Sequence, residues 1–400
     1  MGRAAGAGLL VPLGAPWQPS RDRSGRGEGE NDAVGYRNMA TPATWHREHV
    51  GAPGQRSTAV VKVLKRIAKR TVIHAAARVA PITWKWRRPG SLVVLMYHRV
   101  LPKNSPACKT EQPGMYVSPE TLDLHLTELK RRFELVHLDE WLRRAREDLP
   151  LPKLACAITF DDGWRDNYEF ALPVLVKHEA PATIFLVSSY VGTAQQFWPN
   201  RLTELVLRES SQPGSVRFPE KLRMLVEPVL RSANRGKKLD IENADFIVQC
   251  ALKFKEDEIR SLVDATEESG RLDTSRRVTL NTEEVAAMFA TGFIRFGSHS
   301  ATHFRLDSSA SQERLTLEVV QSKVQLQQIC PQTIDLFCYP NGVTCSSAIS
   351  MVSSHYLGAV ITETGWHSRG RNPYLIPRIR VHEDISSDRE SFVERLSGWL

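Results

Sequence analysis

Leu154-Ala155-Cys156-Ala157-Ile158-Thr159-Phe160-Asp161-Asp162-Gly163 is a short, mostly apolar run that stops abruptly on two carboxylates and a glycine. A run of that kind, without polar alternation, is what a strand covered on both faces requires. Helical stretches cover such strands in parallel sheets, and in a barrel of parallel strands the chemistry gathers at the carboxyl ends. Six further runs fit the same pattern: Leu92 to Tyr97, Ala182 to Val187, Phe293 to Ser298, Ile334 to Tyr339, Leu357 to Thr362 and Ile376 to Val381. Helical patterns lie between them, for example Pro119 to Phe133 and Gln312 to Ile329. The expected architecture is α/β, an open sheet or a (β/α) barrel of about seven parallel strands.

One long stretch breaks the alternation. Between Phe197 and Thr279 the pattern is mainly helical (Arg201 to Glu209, Glu220 to Ala233, Ala244 to Lys253, Glu256 to Glu267), which reads as an insertion on the scaffold at about 197–279. No internal repeat is visible.

The chain has 400 residues, 42% hydrophobic and 24% charged, so it is neither a fibre nor a mini-protein nor a wholly disordered tail. Its formal charge of +8 is unevenly placed. Met1 to Gly90 holds 16 Lys and Arg against 5 Asp and Glu, a net +11, which leaves −3 for Ser91 to Leu400. Residues 1–56 are rich in Gly, Ala, Arg, Ser and Pro without an apolar period, the composition of a disordered basic leader. Residues 57–90 read as a basic amphipathic helix and linker. Val60, Val61, Leu64, Ile67, Ala68, Val72, Ala75 and Val79 fall on one side, and Lys62, Lys65, Arg66, Lys69 and Arg70 on the other. Two readings stay open for it: peripheral contact with anionic lipid through residues 57–79, or packing on the main domain with the charges solvated.

No apolar run approaches the roughly 20 residues of a membrane-spanning helix, and Leu9 to Leu13 is too short and broken for a signal-peptide core. The reading is a cytoplasmic protein or one peripheral at the membrane. The six cysteines include no pair two residues apart. Buried free thiols are the plain reading, with disulfides open because the count is even.

Chemistry concentrates at the strand ends. Asp161 and Asp162 are placed to divide labour, one binding a cation and the other accepting a proton, because a divalent ion relieves the repulsion between them. His299 and His303, in Ser298-His299-Ser300-Ala301-Thr302-His303, are four apart, so that on one helical turn both imidazoles face the same way. One carboxylate and two imidazoles suit Zn²⁺ or a similar ion and leave coordination positions open. His98 and Pro340-Asn341-Gly342 follow two other strands.

These motifs resemble the polysaccharide deacetylases of the NodB-homology, carbohydrate esterase family 4 type. The likeness rests on Thr159-Phe160-Asp161-Asp162-Gly163, on the His299/His303 motif and on Phe337-Cys338-Tyr339-Pro340-Asn341-Gly342, and it covers roughly Leu92 to Val381. It places a NodB-like domain at 91–400. The resemblance implies a deformed (β/α) barrel with a helical insertion, and hydrolysis of acetyl groups on a glycan: N-acetyl, or alternatively O-acetyl. It implies metal binding by Asp162, His299 and His303, with zinc first and cobalt, nickel or manganese as alternatives. Asp161 becomes the general base on the attacking water, and Tyr339, Pro340 and Asn341 the substrate and oxyanion segment.

Two departures stand out. Cys338 occupies the place where the family often has an arginine that orients the base, and Asn341 stands for the usual tyrosine. Arg378 and Arg380 are both candidates for the missing guanidinium. The family's late leucine-histidine motif is also absent. Met96-Tyr97-His98-Arg99-Val100 resembles the opening of the branch that deacetylates poly-N-acetylglucosamine, which makes His98 the general acid, with His382 as the alternative. Trp164 and the Phe197-Trp198 pair read equally as sugar-stacking walls or as packing. The partner expected is an acetylated glycan and not a nucleic acid. The competing reading is a catalytically weak glycan-binding protein on the same scaffold.

Overall fold

The computed structural model describes residues 89–233, 239–268 and 277–398, together with Val79, Ile82, Trp84 and Arg87. The expected leader at 1–56 and nearly all of the segment at 57–90 lie outside the described residues.

Six strands form a parallel run: β1 (Ser91–Tyr97), β2 (Leu154–Phe160), β3 (Ala182–Leu186), β4 (Ile294–Ser298), β5 (Leu336–Cys338) and β6 (Gly358–Val360). Their spatial order is the chain order, with β1 beside β2, then β3, β4, β5 and β6. The seventh expected strand draws the two ends of this curl together. Ile376 bridges Val360 of β6, and β7 (Ile379–Arg380) runs parallel to Leu95 and Met96 of β1. The result is a curled, mostly parallel sheet: the barrel is one of the two architectures that the alternating pattern allows, and its deformation is what the resemblance implies. Sequence reading missed the other two-residue strands, four of which adjoin the barrel. Glu134–Leu135 extends the sheet beside β2, His367–Ser368 pairs antiparallel with the start of β1, and Arg99–Val100 pairs with Tyr116–Val117. Two residues carry no period to detect.

Strand alternation separates two cores. Val93, Leu95, Cys156, Ile158 and Phe160 face outward against the helices, among them α1 (Pro119–Lys130). Leu92, Val94, Ala155, Ala157, Phe185, Leu336, Cys338 and Val360 face inward, where Leu138, Trp141 and Leu142 of α2 (Leu138–Arg146) pack against them. The inner face uses small residues where bulky neighbours cross it. A Cβ on Gly297 would sit 2.6 Å from the Phe185 ring, so only glycine fits there. Thr159 and Asp161 share the parity of Ala155 and Ala157, which aims them into the carboxyl-end mouth of the barrel.

The stretch between β3 and β4 is a helical body with its own core, built from α3 (Trp198–Ser211), α4 (Glu220–Ala233), α5 (Ile241–Ala251) and α6 (Glu256–Asp264). Helix α7 (Thr282–Ala290) returns the chain to β4, opened by an Asn281/Glu284 capping box. Among the described residues no helix is long and apolar enough to cross a membrane. All six cysteines are free.

His125 ties α1 to the end of the chain. The Tyr97 hydroxyl donates to its Nδ1 (2.9 Å), its Nε2–H donates to the Ser386 carbonyl (2.6 Å), and its ring stacks on Phe392 at 3.8 Å between centroids. Both nitrogens are thus satisfied in the neutral form, and burial pushes the imidazole down to about 4. His367, also buried, is pushed down to about 4. Since the unfolded chain binds these protons first, the stabilisation is complete above an ordinary histidine value of 6.5 and is lost as pH falls toward 4. Urea unfolding midpoints should therefore drop between those pH values, and His125→Gln should flatten the slope. A midpoint independent of pH over that range would contradict this account.

Candidate metal and catalytic site

The turn after β2 begins the site. Asp162 (φ +75°) and Gly163 (φ +69°) are both left-handed, and a Cβ on Gly163 would lie 2.7 Å from Leu186 Cδ2. The glycine is therefore needed for both backbone and space. The turn is backed by the segment before α7, where Leu280 N–H donates to the Gly163 carbonyl (2.8 Å). Trp164 Nε1–H donates to Asp162 Oδ2 at 2.9 Å, which leaves Oδ1 to face the histidines. Trp164 is 2% exposed and packs on Phe197, with the Arg99 guanidinium 4.4 Å from its ring centroid. Trp164, Phe197 and Trp198 are all buried, so the structure selects packing over sugar-facing walls.

His299 and His303 converge on Asp162. Their Nε2 atoms lie 3.4 and 3.5 Å from its Oδ1, and the ligand atoms of all three residues fall within 4.8 Å of one another. The expected helical turn is corrected here. Residues 299–303 form an irregular loop in which Ser300 (φ +65°) and His303 (φ +60°) are left-handed. That backbone, and not helical periodicity, brings the second ring back beside the first. His299 Nδ1–H donates to the Cys338 carbonyl (2.8 Å), an acceptor only, which keeps a proton on Nδ1 and turns Nε2 toward Asp162. Burial, followed by the charge of His299, pushes His303 down to about 3, so its ring is neutral, the form that ligates metals. Burial alone would raise Asp162, but the hydrogen bond from His299 holds it well below the carboxylate range. One ionised carboxylate and two neutral-capable imidazoles fit a divalent ion of the zinc type.

The second carboxylate is differently held. Arg378 donates from Nη1 to Asp161 Oδ1 and from Nη2 to Asp161 Oδ2, both at 2.7 Å. Its remaining donors go to Thr159 Oγ1 (3.1 Å), the Ile361 carbonyl (3.0 Å) and Cys338 Sγ (3.3 Å), and none of its side chain is exposed. The guanidinium that sequence reading left open between Arg378 and Arg380 is thus supplied by Arg378, beside Cys338. Burial would raise Asp161, and Arg378 overrides it and keeps the carboxyl below its ordinary value.

His98 Nε2 lies 3.9 Å from Asp161 Oδ2. Its backbone is pinned by Asn167, whose Nδ2 donates to the His98 carbonyl (2.9 Å). Next door Val100 N–H donates to Asp166 Oδ1 (2.9 Å), and Arg99 bridges Asp166 and Glu111. Burial lowers the His98 imidazole, while Asp162 and Asp161 oppose that. His382 stands elsewhere, with its Nδ1 3.3 Å from Asp384; the charges acting on it are those of Asp384, Arg395 and Arg380. The structure therefore brings His98 to Asp161 and does not bring His382. Tyr339 is fully buried against Phe337, and Asn341 (φ +55°) turns the chain at the end of β5 after Pro340.

Sequence reading missed Arg99, Asp166, Asn167 and Glu318, the last of which accepts from Thr302 N–H and Oγ1 at 2.9 and 2.7 Å. Asp166 and Asn167, just beyond the acid pair, carried the one usable signal. Asn167–Ala171 and Thr316–Gln321 are single π-helical turns, a geometry often found at functional sites.

Comparison with known proteins bears on the same segments. The family model described as polysaccharide deacetylase matches residues 149–227 and 268–359. The Bacillus subtilis protein YxkH, named for polysaccharide deacetylation, is 30% identical over 131 residues, 32% of this chain and 42% of that protein. The poly-beta-1,6-N-acetyl-D-glucosamine N-deacetylase of Staphylococcus epidermidis is 33% identical over 95 residues, 24% of this chain and 32% of that one. The matches thus span less than half the length of either relative. The solved Streptococcus pyogenes deacetylase PplD aligns with a TM-score of 0.49 at 18% identity, covering 75% of this chain and 96% of that one.

Removing Arg378 tests the buried pair. Arg378→Met leaves Asp161 charged and unpaired, and unfolding should lose about 3–5 kcal/mol. The Asp161→Asn/Arg378→Met double variant should recover part of it in the same urea titration. Equal losses in both would remove the coupling.

Proposed function

We propose that this chain, which the polysaccharide deacetylase family model matches over residues 149–227 and 268–359, belongs to that family and hydrolyses acetyl groups on a glycan, acting on N-acetyl groups. The observation that carries the proposal is the pairing of two adjacent carboxylates with separate partners. Asp162 faces two imidazoles, and Asp161 is clamped by a buried guanidinium. Equivalent surroundings would give equivalent acids; these surroundings give a ligand and a base.

Asp162, His299 and His303 would hold the divalent ion, zinc first among the candidates. Bound there, such an ion supplies Lewis acidity, polarising the acetyl carbonyl and making water more acidic. Asp161 takes the proton of the attacking water. Arg378 keeps that carboxylate ionised and, by donating to both oxygens, fixes its plane. The backbone N–H at Asn341 is the donor for the developing oxyanion, in the segment that Tyr339 and Pro340 anchor. His98, 3.9 Å from Asp161, gives a proton to the departing amine. The weak-binder reading drew on the arginine missing at Cys338, and the guanidinium of Arg378 beside that sulfur supports the enzyme instead.

Asp161→Asn should keep its metal and lose about 10²–10⁴ of acetate release from acetylated glycan oligomers, while His299→Ala should lose metal and activity together. Metal analysis beside an acetate assay reads both. Undiminished turnover in Asp161→Asn would sink the base assignment. The acid is tested by leaving group: His98→Ala should lose a comparable factor on an acetamide but little on 4-nitrophenyl acetate, whose phenolate departs without a proton. Equal losses on both would make His98 structural.

A further inference from the structure

The two imidazoles of the site are anchored by different parts of the molecule. His299 belongs to the barrel, since its N–H donates to the Leu186 carbonyl (2.8 Å) and its ring to the Cys338 carbonyl. The next carbonyls, of Ser300 and Ala301, accept from the backbone N–H groups of Ser188 and Ser189 just past β3 (3.2 and 3.0 Å). At Thr302 the support changes hands. The carbonyls of Thr302 and His303 both accept from Arg260 Nη2, at 2.9 and 3.0 Å, and Arg260 stands on α6 of the helical insertion. The His303 ring meets Phe197 edge-on at 5.1 Å, at the residue where that insertion begins.

Arg260 is itself fixed. Its Nε–H donates to Glu256 Oε1 (2.8 Å), a carboxylate 3% exposed that also accepts from Trp198 Nε1–H (3.1 Å) and, through Oε2, from Arg305 Nε–H (2.6 Å). Arg305 returns the connection by donating to the carbonyls of Leu252 and Phe254 (2.6 and 2.7 Å). The segment from Thr302 to Arg305 is therefore laced to the insertion, and it contains a left-handed non-glycine residue at His303 whose strained backbone must be held by its surroundings.

We propose that Arg260 is a positioning residue for His303, and that through it the insertion sets the affinity of the site for its metal. This rests on the metal-site reading above. The physical reason is preorganisation: a ligand whose backbone is fixed before the ion arrives gives up less freedom on binding. Partners outside the ligand set typically change metal affinity by 10–100-fold. The guanidinium holds Glu256 and the two carbonyls through separate nitrogens of one rigid plane, whereas an ammonium must reach all three from a single point. By linkage, an ion that orders this loop also orders α6.

The test uses the full chain stripped of metal and titrated with zinc against a chromophoric chelator, followed by amide hydrogen exchange. Wild type should bind zinc, and His299→Ala should not. Arg260→Gln should bind about 10–100-fold more weakly, and Arg260→Lys should fall between the two. Arg231→Ala, an exposed ion-pair partner of Glu227 on α4, should bind as wild type does. Zinc should slow exchange in Glu256–Asp264 of wild type but not of Arg260→Gln at saturating zinc. Unchanged affinity in both Arg260 variants, zinc-dependent protection persisting in Arg260→Gln, or equal weakening in Arg231→Ala overturns the positioning role. If Arg260→Gln fails to fold, the Lys variant decides by the same affinity comparison. Wild type that takes up no zinc overturns the metal site itself, an outcome distinct from wild-type binding that Arg260 does not influence.

Discussion

A guanidinium that solvent does not reach, clamped to a carboxylate that solvent barely reaches, is the constraint around which this barrel is arranged. Two opposite charges persist in such an interior only when every donor and acceptor is matched, because an unmatched charge there costs several kcal/mol. Arg378 meets that condition through residues on three other strand segments: Asp161 and Thr159 after and within β2, Ile361 after β6 and Cys338 on β5. Bringing the segment Ile376 to Arg380 between β6 and β1 is therefore also what delivers the guanidinium to Asp161.

Around that pair, each working side chain is oriented by a group outside its own strand. Trp164 turns Asp162, the Cys338 carbonyl sets the His299 tautomer, Asn167 holds the backbone of His98, and Arg260 holds that of His303. Strand ends supply the chemical groups, and loops and helices supply the angles. The family model covers the strand ends that carry Asp161, Asp162, His299 and His303; it omits 228–267, which includes α6 with Arg260, and it reaches neither His98 nor Arg378. The machinery and part of its support thus lie in different stretches of the chain.

The order of legibility follows from what a sequence displays. Seven strand runs, the acid pair and the histidine pair were visible because burial and period leave local marks. The role of Arg378 was not, since it faces Asp161 across more than two hundred residues and its neighbour Arg380 has the same strand parity. The geometry of 299–303 was misread because four-residue spacing suits a helix, and nothing in Ser300 or His303 announces left-handed backbone. Buried Trp164 and Phe197 show the same limit, for an aromatic beside a catalytic motif looks identical whether it meets a sugar or another ring.

The two π turns have a meaning for how this fold tolerates change. Thr316–Gln321 is a wide turn between two helical stretches and Asn167–Ala171 a wide turn that opens the helix ending at Lys177, which is what a helix becomes when it accommodates one residue more than its α-helical path needs. Asn167 and Glu318, the groups that hold the His98 strand end and the histidine loop, sit in those wide turns. Losing one residue from either would let the helix relax to regular α geometry and rotate its holding group about 100° away from the loop it supports. Length thus matters in these two turns, and a deletion there is a different kind of event from one in a surface loop: it would leave every side chain of the candidate site in the sequence while misaiming them.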